Sequence, residues 1–573
     1  MAAALDTPPD ADYERHLSHA ESELGNLRAA FGWSLENSQV ELALTLTSSL
    51  QPMWLTRGHL REGSGWFHAA LAADLEQATS SATQARALAD NALLEMMSDA
   101  GASFDQAQRA LTIAREADDP ALLLRALSVC SFILGYDSAA AAPYFTEAIE
   151  LARALGDRWR LSQILTRLAS AAVMTGDPTT AEASAVEGGE LADGIGDRSG
   201  SRECRYYLGW VRLAQGDTAD AVARFSEAAA DAEANHDAFL KPAALSGLGN
   251  ALAYRGEVSA ARAAALELQD ATIDVSDYFA GLGHVVLSLA ALADGDVPAA
   301  REASEATWQS LAVQPHMAVV QRAFNGGVVA LAEGDLATAR RWVDESIALA
   351  TGWHLALALT IRARVAIAKR EPDVAERDLH QAISTMDEFK AFAHVPDALE
   401  CLADVVATGT SLEEAARLFG AAESARMATG MVRYKVYDAW YEASVVALRT
   451  ALGQEDFDAA WAEGAALSIE EAIAYAQRGR GERKRPSTGW ASLTPTERDV
   501  VGLVAEGLTN KDVATRLFIS PRTVQAHLAH VFANSVSPRG CSQRRKHPAT
   551  PDAHERQPRR RASAAIAASP PPT

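Results

Sequence analysis

Along residues 15–475, apolar positions recur at helical spacing in segments separated by small polar turns. Six of these turns carry glycine, most of them followed by an acidic residue: Gly135, Gly176-Asp177, Gly216-Asp217, Gly256-Glu257, Gly295-Asp296 and Gly334-Asp335. Their spacings are 41, 40, 40, 39 and 39 residues. Gly58 fits an earlier copy, and Arg370-Glu371 and Gly409-Thr410 continue the series in weaker form. A fixed period of this length predicts a solenoid of helix pairs, because one pair cannot bury its apolar face alone and must stack on its neighbours. One unit runs from Tyr206 to Ala234, with Gly216 as its turn and Leu208, Val211, Leu213, Val222 and Phe225 as its core.

The pattern changes at Leu493–Phe532, LTPTERDVVGLVAEGLTNKDVATRLFISPRTVQAHLAHVF. Thr494 and Glu497 form a capping box around Pro495 at the first helical position. Val500, Leu503 and Val504 make one apolar stripe, and Gly507 stops the helix. Thr509 caps a second helix whose inner face is Val513, Ala514 and Leu517. After the apolar turn Phe518-Ile519, Ser520 caps a third helix with Pro521 in its first position. Val524, Leu528 and Val531 face inward, and Arg522, Thr523, Gln525, Ala526, His527, Ala529 and His530 lie opposite. Short polar side chains on one helix face suit a major groove about 12 Å wide, and three helices in this order predict a helix-turn-helix DNA reader.

Here the sequence resembles the LuxR-type helix-turn-helix of bacterial transcription regulators. Four sub-motifs carry the resemblance in order, LTPTE, GLTNKDVA, LFIS and TVQAHL, over about forty residues. It implies that the third helix reads the major groove, with Gln525, Ala526 and Ala529 toward base edges. Thr523 and His527 would hold the backbone or brace the helix, and Lys511 and Arg522 would meet phosphates. Many members have Lys where this chain has Gln525; Gln pairs with adenine and Lys or Arg with guanine, so the preferred operator is open.

After Ala533 the resemblance breaks. The family continues through a Lys-Leu-Gly-Val-like turn into a fourth amphipathic helix, whereas this chain is Arg-, Pro-, Ser- and Ala-rich. Pro538, Pro548, Pro551 and Pro558 would interrupt any helix, and the composition suits disorder. A reading-frame change near Asn534 would explain the switch; a natural basic tail is the alternative. Either way the fourth helix, which supplies packing and dimer contacts in the family, is expected to be absent.

The repeat unit itself is similar to tetratricopeptide-type repeats, with a period longer than their usual 34. At the front, residues 22–71 (SELGNLRAAFGWSLENSQ…FHAAL) are similar to the segment that follows the nucleotide-binding module in large LuxR-type regulators. That resemblance implies a P-loop ATPase ahead of the repeats. This sequence has no GxxxxGK[ST] and no Gly-Lys dipeptide, so it is read as starting after that module, either truncated or with the ATPase encoded separately.

Composition supports helices: hydrophobic residues are 48% of 573, aromatics only 6%, and Ala and Leu dominate the apolar content. The net charge of −23 is unevenly spread. From Ala476 onward there are 17 Lys+Arg against 7 Asp+Glu, leaving 35 against 68 for residues 1–475. The body therefore repels nucleic acid and the C-terminal segment attracts it. Cys130, Cys204, Cys401 and Cys541 are isolated, so neither a zinc site nor a disulfide framework is indicated. No signal peptide pattern and no run of about 18 apolar residues occurs, so the expected setting is cytoplasmic and reduced, away from membranes.

The Gly-Asp pairs read as turns rather than a carboxylate site. Gly194-Ile195-Gly196 and Gly281-Leu282-Gly283 lack the preceding strand that a nucleotide loop needs. His527 and His530 are spaced to chelate, but no third ligand is near, which favours DNA-facing or capping roles. Trp33, Trp54 and Trp66 read as packing of the first helices, with a groove lining as the alternative. Arg559–Arg561 beside Pro558 reads as a solvated tail or a loose phosphate contact. No catalytic constellation, metal site or cofactor motif is recognisable.

The expectation is an all-α chain: a disordered N-terminus (1–14), a tetratricopeptide-like solenoid (15–475), a basic linker (476–492), an incomplete LuxR-type helix-turn-helix (493–533) and a disordered basic tail (534–573). Its function would be sequence-specific binding of double-stranded DNA as a homodimer, with the solenoid sensing a protein or small ligand. The alternative is a non-catalytic scaffold whose DNA reader is dead.

Overall fold

Each Gly-Asp pair of the repeat ends one helix and starts the next. Gly176, Gly216, Gly295 and Gly334 take the left-handed conformation, with φ of 80°, 88°, 82° and 81°. The aspartate that follows caps the next helix through its side chain. Asp177 accepts from the Thr180 amide at 3.0 Å, Asp217 from Asp220 at 3.0 Å, Asp296 from Ala299 at 3.1 Å and Asp335 from Thr338 at 3.0 Å. The same device also joins one pair to the next. Gly156-Asp157 and Gly196-Asp197 are built identically, Asp157 capping at Arg160 and Asp197 at Gly200. The sequence reading took one turn per 40 residues; the capped turn in fact recurs twice as often in this stretch, once per helix.

The computed structural model describes residues 2–9, 12–74, 79–272, 277–409, 411–482, 495–505 and 507–516, together with Val524, Gln525 and Leu528. Among the described residues every regular element is a helix. The chain divides into two units, Met1–Gln477 and Arg478–Thr573.

In the first unit, helices alternate between two rows. The inner row includes Pro120–Ile133, Arg158–Thr175, Arg198–Gln215, Leu240–Tyr254 and Asp277–Asp294; the outer row includes Ser138–Leu155, Pro178–Ile195, Thr218–Ala234, Val258–Thr272 and Val297–Ser310. An outer helix buries a single stripe: Thr218, Ala221, Phe225, Ala228 and Ala232 in Thr218–Ala234. The inner helix Leu240–Tyr254 buries nearly every residue, because it has neighbours on all sides. Phe225 is fully buried and reaches across to two inner helices at Gly209 and Gly247, where an added Cβ would come within 2.8 and 2.5 Å of its ring.

The solenoid then coils back onto itself. Arg57 donates to the Asn235 carbonyl, 178 residues away, at 2.7 Å. Thr351 donates to the Thr175 carbonyl, 176 residues away, at 2.7 Å. Backbone amides repeat the contact along the seam: Ala238 to Thr56, Trp353 to Gly176, Ala393 to Ala214 and Val432 to Tyr254, at 2.7, 2.8, 3.0 and 2.8 Å. The carbonyls left over at the ends of inner helices are thus satisfied by the next turn of the superhelix.

Three expectations need correction. The N-terminus is not simply disordered: Ala2–Leu5 is helical, Leu5 is fully buried and Asp6 pairs with Arg86 at 2.6 Å. The segment read as linker from residue 476 begins inside a helix, Ile469–Glu482. Trp54 and Trp66 pack edge to face at 5.1 Å in the first core cluster, but Trp33 is 55% exposed. The glycines considered for nucleotide binding are structural. Gly196 is a helix C-cap, Gly281 lies against Leu311, and Gly283 lies against Leu268 and Gln269.

Candidate functional site

The second unit starts from two short helices, Pro495–Ala505 and Asn510–Arg516, turned by Gly507 with φ of 90°. The Gly507 amide bonds the Val504 carbonyl at 3.0 Å, and that of Leu508 the Leu503 carbonyl at 3.2 Å. Thr509 starts the second helix: its hydroxyl accepts from the Asp512 amide at 3.3 Å and donates to the Asp512 carboxylate at 2.6 Å. The reciprocal partner is Asp512, three residues on, which the sequence reading had not singled out.

Val500, Val513, Ala514 and Val524 form the buried core of this unit, with Leu503, Val504, Leu508 and Leu528 packed against it. Val524 and Leu528 come from the third segment, so that segment docks by the face carrying these two residues. Gln525, next to the fully buried Val524, is exposed, as is Lys511 on the second helix. Arg516 is exposed as well and adds a cation that the sequence reading missed. Arg522, Thr523, Ala526, His527, Ala529 and His530 lie outside the described residues, as do the cap residues Thr494 and Ser520. Glu497 lies within the first helix. The described surface carries the cations Lys511 and Arg516 and the Gln525 amide beside a small apolar core, which suits contact with phosphates and base edges.

Residues 491–534 match the family described as bacterial regulatory proteins, luxR family. This segment is a LuxR-family domain. The match ends at Asn534. A Mycobacterium tuberculosis protein named as an HTH-type transcriptional regulator is 49% identical over 540 residues, covering 93% of this chain and 61% of that protein. The chain thus spans about 61% of that relative's length. The DNA-binding transcriptional activator DevR/DosR of Mycobacterium tuberculosis is 41% identical over 56 residues, 10% of this chain and 24% of that protein. Among solved structures, the Cut9–Hcn1 heterotetramer aligns with 91% of this chain and 93% of that chain, at 13% identity and a TM-score of 0.45.

Ahead of the LuxR domain in sequence, the first unit holds a cavity of about 210 Å³. Its walls come from the inner helices and the loops that close the superhelix; no outer helix from Ser138–Leu155 to Val297–Ser310 contributes. Aromatic side chains dominate the lining, Tyr136, Tyr206, Trp210, Tyr254, Tyr278 and Trp353 among them. Phe324 is presented from a π-helical segment, Arg322–Gly327, a helix irregularity often found at functional sites. Sequence periodicity could not reveal this cavity, since its walls come from residues as distant as Phe132 and Tyr437.

Among the described residues, no cluster of His, Cys, Asp and Glu is arranged to hold a metal ion, and no helix is long and apolar enough to cross a membrane. Cys130, Cys204 and Cys401 are buried free thiols, and burial pushes each up to about 12.

Proposed function

We propose that this chain is a non-enzymatic, sequence-specific DNA-binding regulator of transcription whose solenoid senses an effector. The observation that carries the reading is the pairing of buried Val524 with exposed Gln525 in the LuxR domain. With Val524 and Leu528 committed to the core, the polar residues opposite them are available to a major groove. Gln525, Ala526 and Ala529 would meet base edges, while Lys511 and Arg522 would meet phosphates and Thr523, His527 and His530 would support the docked helix. Charge supports the same division of labour: the acidic body disfavours DNA, and the basic residues from Ala476 onward favour it. On DNA the protein would act as a homodimer on half-sites about 34 Å apart. The aromatic cavity supports the sensor role, since a concave, mostly apolar site with few polar groups is the usual form of a small-molecule site.

The test is selection of bound sequences from a random duplex pool by the full chain, repeated with Gln525→Ala and Arg522→Ala. Enrichment of a sequence that is lost in both variants supports the reading. Equal, weak retention of all duplexes, abolished by modest salt, would instead support a scaffold whose basic tail alone touches DNA.

A further inference from the structure

The charged groups around the aromatic cavity are nearly all spoken for. Asp397 is held by Arg364 at 3.2 Å, Arg426 at 3.1 Å and His394 at 3.6 Å. The Arg364 guanidinium also lies 3.8 Å over the Tyr437 ring. Burial lowers His316, and drives His354 down to about 3, so His354 is neutral. The exception is Glu203, on the inner helix Arg198–Gln215. It is half-buried, lines the aromatic cavity and also lines an adjoining cavity of about 220 Å³. It makes no hydrogen bond and no ion pair to the described residues.

The neighbours of Glu203 leave it that way. From the adjacent helix Arg158–Thr175, Arg167 lends it positive potential, but that guanidinium is bonded to the Ser128 hydroxyl and seated 5.5 Å over the Phe132 ring. Arg202, on its own helix, is taken by Glu14 at 2.7 Å. Asp197 and Asp237 add negative charge nearby while capping the helices that start beside them. The cavity that Glu203 lines is rich in aromatic side chains, Tyr206, Tyr207 and Trp210 from its own helix and Phe239 and Tyr278 beyond it. Aromatic faces carry partial negative charge and attract cations, most strongly when water is excluded.

A carboxylate with no hydrogen bond or ion pair among the described residues, in an aromatic cavity and with Arg167 and Arg202 bonded elsewhere, selects for positive charge on an apolar body. We propose that this cavity is an effector site for an organic cation, a protonated amine or quaternary ammonium, with Glu203 as its counter-ion and the aromatic rings around its apolar part. The proposal rests on the reading of the solenoid as a sensor. It deepens that reading by naming the ligand's chemistry and the residue that recognises its charge.

The protonation of Glu203 supplies a second signature. Burial, reinforced by Asp237, raises it to about 7. It is therefore mostly neutral at pH 6 and mostly charged at pH 8. A permanently charged ligand should bind about tenfold more tightly at pH 8 than at pH 6, since about that factor separates the charged fractions.

The experiment is titration calorimetry of the full chain with phenyltrimethylammonium, with benzyl alcohol and benzenesulfonate as neutral and anionic counterparts. The expected result is saturable one-to-one binding of the cation, at least tenfold tighter than either counterpart, strengthening as pH rises through about 7. Glu203→Gln, verified as folded by circular dichroism, should bind at least tenfold more weakly than the wild type at pH 8 and should lose the rise in affinity between pH 6 and pH 8. Absence of saturable binding, equal binding of the three probes, or a Glu203→Gln variant indistinguishable at pH 8 would overturn the proposal. DNA retention in the presence of the cation is read separately. Binding with unchanged retention leaves the site standing and removes the sensor reading; altered retention supports both.

Discussion

Gly352 and Gly176 meet backbone to backbone across the seam of the superhelix. A Cβ on Gly352 would stand 1.9 Å from the Gly176 carbonyl oxygen, which also receives the Trp353 amide at 2.8 Å. Gly352 has φ of 52° and Gly176 has φ of 80°, so both positions disfavour a side chain by conformation as well as by space. This contact ties the helix Arg158–Thr175 to Gly352–Ala368 and closes one turn of the solenoid onto the next.

Gly352→Ala should therefore lower stability by at least about 2 kcal/mol, combining overpacking with backbone strain. Chemical denaturation followed by circular dichroism measures it. A variant as stable as the parent would mean that the seam can part without loss.

Glu400 is a second closure point. It is fully buried, accepting from Arg426 at 2.8 Å and Arg433 at 2.7 Å. Removing one partner of a buried ionic network leaves the others uncompensated, so Glu400→Ala should cost about 3–5 kcal/mol. Glu400→Met is expected to cost less if Arg433, stacked 3.3 Å over Tyr441, keeps its place. Denaturation midpoints of the two variants decide between them.

Glu203 also makes stability depend on pH, with a sign that can be worked out. Its carboxyl is raised to about 7 from an ordinary value of 4.5, so the folded chain binds a proton that the unfolded chain has released between those values. This group's contribution is fully present below about 4.5 and falls as pH rises through about 7. Glu203→Gln should remove that decline, so its melting temperature should gain on the parent more at pH 8 than at pH 5. Parallel melting curves at both pH values would show that the carboxylate is solvated in the folded state.

For the LuxR domain, Lys511→Ala should weaken binding uniformly across DNA sequences and reduce the salt slope by about 1. Gln525→Ala should instead relax preference at one base position, at about 1–3 kcal/mol. Filter retention over a salt series, with matched and mismatched duplexes, separates the two effects.

Much of the solenoid was legible in the residues because its joints are local. Gly176 with Asp177, or Gly216 with Asp217, stops one helix and caps the next through contacts three to five residues long. Period and turn therefore show in the sequence without knowledge of the fold. The halved beat at Gly156-Asp157 is masked in the sequence because the helix-pair period of about 40 residues dominates, and single-helix joints such as His236-Asp237 lack the glycine. At the LuxR domain, the inward positions Val500, Val513 and Val524 follow from spacing alone, whereas the answering role of Asp512 at Thr509 had to be seen.

The sequence by itself determined where helices start, stop and turn, and that a LuxR-type reader follows an acidic solenoid, because caps, apolar stripes and charge balance are properties of neighbouring residues. Only the tertiary structure decided that the solenoid closes with partners 176 and 178 residues apart, that Gly352 must be glycine, and that Glu203 lines an aromatic cavity with no ion pair among the described residues. Those outcomes depend on how small rotations between successive helix pairs add up around a superhelical turn, and no local pattern records that sum.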